Sequence, residues 1–315
     1  MLLACVICWQ VCACEKADQW PDTPAEVLGI TVAAFPPRTD FIAGCEFDAA
    51  RPDRLRQMMA DRIGDTTPDC GFNFSDRIQS IVFGGDYAGD TVVMAIRGIA
   101  RRDLTTCLAK LDMQPVDEGP LTRVTMKGKP ERIGWMSDDV LIVAMGLGSA
   151  GEVSFDRALA EERVSGARGL ANDWPLLRLL EPRQGAQCTF AATSAARVAD
   201  LLGAEFTGVS AVFGRLRHVD KPDRDLGVTF DEIDATVGFR FATVAQGEAA
   251  ARVLPAQIRK SGRDRLPPEA LAVLVDMVEI THSAAEVRVR LKVDRPRFEQ
   301  LGQAMMATGG QTAPR

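Results

Sequence analysis

Cysteines Cys5, Cys8, Cys12 and Cys14 crowd the start of the chain in the arrangement C-x2-C-x3-C-x-C. Thiolates at such spacing suggest zinc, whose structural sites usually take two ligands from each of two separated knuckles with polar or turn residues between them. Here the spacers are Val6, Ile7, Trp9, Gln10, Val11 and Ala13, with no glycine to form a turn, so no metal is assigned. Gly146, Gly148 and Gly151 form a G-x-G-x-x-G after the strand-like VLIVAM and before an expected helix, EVSFDRALAEE. A pyrophosphate could approach such a loop at a helix N-terminus. A dinucleotide fold also needs a parallel crossover, whereas VLIVAM is expected to pair antiparallel with RIGWM, so no cofactor is assigned.

His218 and His282 are the chain's two histidines. Neither has a partner at ligand or catalytic spacing, and both read as solvated, His218 in a charged excursion and His282 in a hairpin turn. Carboxylates cluster at Asp220, Asp223 and Asp225 and again at Asp231, Glu232 and Asp234. Oxygen ligands suit calcium, but the glycine and terminal glutamate of an EF-hand loop are missing, and Lys221 and Arg224 intrude. This stretch reads as a solvated acidic loop, with no catalytic residue assigned.

The first residues make better sense as an address. Leu2 to Ala13 is apolar apart from Gln10, and the chain turns polar at Glu15. That length is too short for a bilayer span and suits the apolar region of a secretory signal. Val11, Cys12, Ala13 and Cys14 resemble the bacterial lipobox, which implies cleavage before Cys14 and acylation of its sulfur. Two or three alkyl chains at ~0.8 kcal/mol per CH2 suffice to hold a soluble body at a membrane. Residues 1–14 are therefore read as signal and lipobox, and residues 15–26 as a tether.

Export leaves four cysteines in the body, Cys45, Cys70, Cys107 and Cys188. An even number in an oxidising compartment favours disulfides, with three connectivities open. Cys70 precedes a strand and Cys107 lies on the apolar face of a helix, a reachable pair whose loop of about 38 residues would remove ~3.9 kcal/mol of unfolded-chain entropy. Cys45 and Cys188 occupy equivalent strands of two similar halves, so a pseudo-two-fold axis would bring them together. The alternative is four buried thiols.

Those halves emerge from internal similarity. Cys-x-Phe occurs at Cys45–Phe47 and Cys188–Phe190, and Ser-x-Val-Phe-Gly at Ser80–Gly84 and Ser210–Gly214, in the same order. Each Cys-x-Phe strand feeds a helical pattern, RPDRLRQMMADRIG or AARVADLLG, and each Ser-x-Val-Phe-Gly strand opens a hairpin that leads into a helix. The helices are RRDLTTCLAKL, with Leu104 to Leu111 on one face, and AQGEAAARVLPAQIRK; each half then ends in another hairpin and helix. The expected fold is α+β, two similar sheet-plus-helix halves from an internal duplication, each strand-helix-strand-strand-helix-hairpin-helix. The first half spans 27–163, a linker with the short helix WPLLRLLE spans 164–186, the second half spans 187–306, and 307–315 is a disordered tail.

Apolar residues at 46%, charged residues at 25% and a net charge of −6 describe a soluble globular body. Scattered Lys and Arg in an acidic chain exclude a phosphate backbone as partner. The expectation is a bacterial envelope lipoprotein in the periplasm or outer membrane. Cys14 anchors it to the membrane, and its body binds or scaffolds a partner without catalysis. Two alternatives stand beside it: a cleft between the halves holding an apolar ligand or lipid, and a hydrolytic enzyme using the acidic residues between Asp220 and Asp234.

Overall fold

A computed structural model describes residues 34–47, 70, 74–86, 91–126, 129–147, 153–155, 175–180, 188–193, 206, 208–223, 228–263 and 266–309. The helical patterns after Cys45 and Cys188, the signal, the tether and Cys14 lie outside them. The chain combines helices with extensive antiparallel sheet, an α+β architecture, and divides into two compact units, one ending at Ala192 and the next beginning at Thr193. Strand Cys188–Ala192, expected to open the second half, belongs to the first unit.

In the first unit, β1 (Phe41–Glu46), β2 (Ser80–Asp86), β3 (Thr91–Arg97), β4 (Val116–Glu118), β5 (Leu121–Met126), β6 (Lys129–Ser137), β7 (Val140–Leu147), β8 (Val153–Phe155) and β9 (Cys188–Ala192) form one sheet. Its order is β9-β1-β2-β3-β7-β6-β5-β4, with β8 on β7. A short α1 (Phe74–Arg77) precedes β2, and α2 (Arg101–Lys110) follows β3. Leu104, Cys107 and Leu108 form the buried stripe of α2 at helical spacing, with Asp103 in its first turn and Lys110 in its last to complement the helix dipole. Because successive strand residues alternate between faces, Ile42, Val82, Val93, Ala95, Ile142 and Ala144 all enter the fully buried side. Phe35 packs there against Gly84, whose missing side chain makes room for the ring.

The second unit contains β10 (Val209–Asp223), β11 (Val228–Phe241), α3 (Val244–Arg263), α4 (Pro268–Asp276), β12 (Val278–Ser283), β13 (Glu286–Val293) and α5 (Arg295–Gly309). Its strand order is β12-β13-β11-β10. A capping box starts α3: the Gln246 N–H donates to Thr243 Oγ1 at 3.3 Å and the Thr243 N–H donates to Gln246 Oε1 at 3.1 Å. Ala250 and Leu254 of this helix close over Phe206, Val209, Phe239, Phe241 and Val287 to make the core.

Several details depart from the sequence reading. Residues 217–223 of the charged excursion are no loop, because β10 runs through them and pairs residue by residue with β11, Asp220 opposite Asp231; Arg224 and Asp225 lie outside the described residues. The two strand-like segments around GVTF and ATVGFRF are the single strand β11. The stretch expected to open a helix after the glycine motif begins as β8, where Val153, Ser154 and Phe155 pair with β7; β-branched and aromatic residues extended the ladder. His282 is an exposed residue of strand β12, and the turn lies beyond it at Ala284 and Ala285. Helix α4 was not anticipated; Pro267 and Pro268 set its start, as proline at a first helical position does.

The spatial orders β2-β3-β7-β6 and β10-β11-β13-β12 are the same. In each, a helix joins the second strand to the later hairpin, with β4 and β5 extra in the first unit and α4 extra in the second.

Candidate functional surfaces

Each unit has a sheet face turned away from its core, and the two faces differ in chemistry. In the first unit the register builds three cross-strand rows. Cys188, Cys45, Ile81, Ile96 and Leu141 form one row; Phe190, Ala43, Phe83, Met94 and Val143 the next; Ala192, Phe41, Gly85 and Val92 the third. None of these residues is charged. The first row is buried except for Cys45, whereas Phe190, Ala43, Met94, Phe41 and Val92 are half-buried and Phe83 is 39% exposed. A strand pattern apolar on both faces belongs to a sheet covered on both sides. Here one side is the core and the other is partly open.

In the second unit the corresponding side carries Arg215 and Arg217 on β10, Asp234, Thr236, Gly238 and Arg240 on β11, and Glu286, Arg288, Arg290 and Lys292 on β13. Phe213 points to the same side and yet is only 3% exposed. Its ring lies across Gly238, and the guanidinium carbons of Arg240 and Arg288 sit 5.6 and 5.8 Å from the ring centroid. Glu286 joins the two cations, accepting from Arg240 Nη2 at 3.3 Å and from Arg288 Nε at 2.6 Å. The roof over Phe213 is thus a closed set of charges, in which cation–π attraction and ion pairing replace apolar cover.

Asp234, the one member of the suspected acidic site whose side chain is described, accepts from Arg290 Nε at 2.9 Å and from Arg290 Nη2 at 2.7 Å. That two-pronged bond, opposed by partial burial, holds its carboxyl below the ordinary value, and the same bond raises Arg290. An Arg-clamped aspartate held below the ordinary value is ionised near neutral pH and fastens β11 to β13. At the far end of the first unit Glu118 plays a like part, its carboxyl lowered by bonds from Arg123 and Arg132. Arg101 lies 5.7 Å from the Trp135 ring centroid and donates to Asp117 Oδ1 and the Gly119 carbonyl, tying the start of α2 to the β4–β5 turn.

The structure joins Cys45 to Cys188 and Cys70 to Cys107, the two pairs named from the sequence. Cys45 and Cys188 face each other across the β1–β9 ladder with Cα atoms 4.0 Å apart, the close spacing of a non-hydrogen-bonded antiparallel pair. Among the described residues no cluster of three His, Cys, Asp or Glu side chains could hold a metal, and no helix is long and apolar enough to cross a membrane. The apolar rows join residues of five strands, so no single stretch of sequence records them; the apolar run VVMAI of β3, as in a covered strand, is their local trace.

No protein-family model matches the chain, and no curated protein sequence does. Among solved structures, the chain is similar in fold to a protein designated TP0453. Crystal form I matches with a TM-score of 0.50 at 8% identity, covering 87% of this chain and 96% of that one. Crystal form IV matches with a TM-score of 0.50 at 9% identity, over 87% and 96% of the respective chains.

Proposed function

We propose that this chain is a non-catalytic binding module of the bacterial envelope, exported and held at a membrane by acylated Cys14, with a body that arose by internal duplication. The observation that carries the binding reading is the uncharged, partly open face of the first unit around Phe83. The two rows that are not buried, through Phe83 and Phe41, lie about 6.8 Å apart across strands about 4.8 Å apart, a footprint of roughly 130 Å2 centre to centre. A patch of that size is well short of the ~800 Å2 per partner of a stable protein interface. It therefore suits an apolar ligand, or a single apolar element of a partner.

Two disulfides in the body favour an oxidising compartment, and hence export. The shared strand order of the two units supports duplication. The Arg-clamped state of Asp234 weighs against the hydrolytic alternative, which needs a carboxyl with a raised pKa. The experiment is in two parts. Mass analysis of the mature N-terminal peptide from native membranes should find diacylglycerol on Cys14; an intact residue 1–14 segment in a soluble fraction overturns the anchor. Titration with an environment-sensitive apolar dye should give saturable fluorescence that Phe83→Asp removes; equal fluorescence in the variant overturns the binding face.

A further inference from the structure

We infer that Cys45–Cys188 is a thiol–disulfide exchange site, open to a dithiol with apolar surroundings, while Cys70–Cys107 is a closed structural bond. Exchange requires a thiolate to reach a sulfur of the disulfide, so access decides which bond reacts first. Cys107 is 1% exposed and Cys70 6%, and Cys107 sits in the buried stripe of α2 between Leu104 and Leu108. Neither of its sulfurs offers an approach. Cys188 is equally shut in at 2%.

Cys45 differs. It lies on β1, which is paired on one side with β2 and on the other with β9, so its backbone is covered by both ladders. It is the one of the four bonded cysteines that is half-buried and not buried, and strand alternation places its side chain on the face that holds Phe83 and Phe190. That setting also selects the attacking group. No charge on these rows attracts or solvates an anionic small thiol, whereas a dithiol presented on an apolar surface gains contact with them.

The chemistry balances as follows. A thiolate of the dithiol attacks Cys45 Sγ, the bond to Cys188 breaks, and the Cys188 sulfur leaves as a thiolate that takes up a proton. The second thiol of the reagent then attacks the mixed disulfide, which releases Cys45 as a thiol and leaves the reagent oxidised to its own disulfide. Two electrons pass to the protein. The β1–β9 ladder, paired from Phe41 opposite Ala192 to Cys45 opposite Cys188, keeps its backbone hydrogen bonds, so the exchange is reversible without unfolding.

The test uses the oxidised full chain under native conditions. Dithiothreitol is added, samples are alkylated over time and mapped by peptide mass, and far-UV circular dichroism follows the fold. Alkylation of Cys45 and Cys188 should precede that of Cys70 and Cys107 by ~10-fold or more in rate, with the spectrum unchanged. Glutathione at equal thiol concentration should react more slowly and, when trapped, should be found on Cys45. Simultaneous loss of both disulfides, prior loss of Cys70–Cys107, resistance of both until unfolding, or an adduct on Cys188 each overturn the assignment.

Discussion

Two glycines on central strands each support a phenyl ring, and the difference between the rings sets the cost of a methyl group. An ideal Cβ on Gly238 would lie 2.5 Å from Phe213 Cζ and 2.6 Å from Cε2; on Gly84 it would lie 2.6 Å from Phe35 Cδ1 and 3.0 Å from Cε1. Ordinary carbon contacts are ~3.5–4.0 Å, so in both cases the ring must withdraw by about 1 Å. Overpacking of this kind costs ~1–3 kcal/mol, and replacing glycine by alanine returns ~0.5–1 kcal/mol by restricting the unfolded chain. Phe213 can withdraw outward, because its roof is the flexible stems of Arg240 and Arg288. Phe35 is wholly buried and has no such route. Subtracting the glycine gain, Gly238→Ala should therefore cost ~0.5 kcal/mol and Gly84→Ala ~2 kcal/mol, near the low and high ends of the net range. Urea unfolding with disulfides intact measures this by far-UV circular dichroism, since Trp9, Trp20, Trp135 and Trp174 all precede Ala192 and leave the second unit without a tryptophan reporter. Repeating Gly238→Ala with Phe213→Leu should abolish its cost. If Gly238→Ala costs more than Gly84→Ala, or keeps its cost beside leucine, the steric account is wrong.

The two-residue turn between β12 and β13 places Ala284 at φ 51°, a conformation that costs an alanine ~1–2 kcal/mol and glycine almost nothing. Ala284→Gly should stabilise the protein by about 0.5–1 kcal/mol after glycine's extra unfolded freedom is subtracted, seen as a higher urea midpoint; an unchanged or lower midpoint refutes it. The carboxyl of Asp234 is depressed in the folded state by Arg290, so its contribution is present above the ordinary value of 3.8 and is lost as pH falls below that towards the folded value. Asp234→Asn should lower stability at neutral pH and leave a shallower acid limb; parallel pH profiles for the two proteins would refute this.

What the sequence disclosed followed from how local each signal was. Helix α2 was legible because Leu104, Cys107 and Leu108 recur at helical spacing within ten residues, and its bounds Arg101–Lys110 fall inside RRDLTTCLAKL. The hairpins were legible where apolar runs ended in glycine or aspartate. The arm formed by β10 and β11 was not, since Asp220, Lys221, Pro222 and Asp223 carry turn and surface signals that pairing with β11 overrides. Propensity is weak against a ladder that runs unbroken from Ala211 to Asp223. Helix α4 was hidden for the opposite reason: ALAVLVD is apolar on all sides and reads equally well as a strand, with only the prolines at its start to distinguish it. The roof over Phe213 could not be read at all, because it depends on register across three strands, and no spacing within one strand records which arginine will lie opposite which ring.

The motif Ser-x-Val-Phe-Gly brings out that dependence. In both units it turns valine and glycine to the core and sends phenylalanine outward, since alternation along a strand fixes their faces. The neighbours then decide the outcome. Phe83 stands opposite Met94 on β3 and Ala43 on β1, short or apolar side chains that leave it 39% exposed. Phe213 stands opposite Gly238, with Arg288 one strand further and Arg240 on the diagonal, and these close over it. One five-residue pattern therefore yields an open apolar surface in the first unit and a sealed, charged one in the second. The binding reading rests on this contrast, because the second unit shows that the fold has a ready means of covering an outward phenylalanine, and the first unit leaves Phe83 without it.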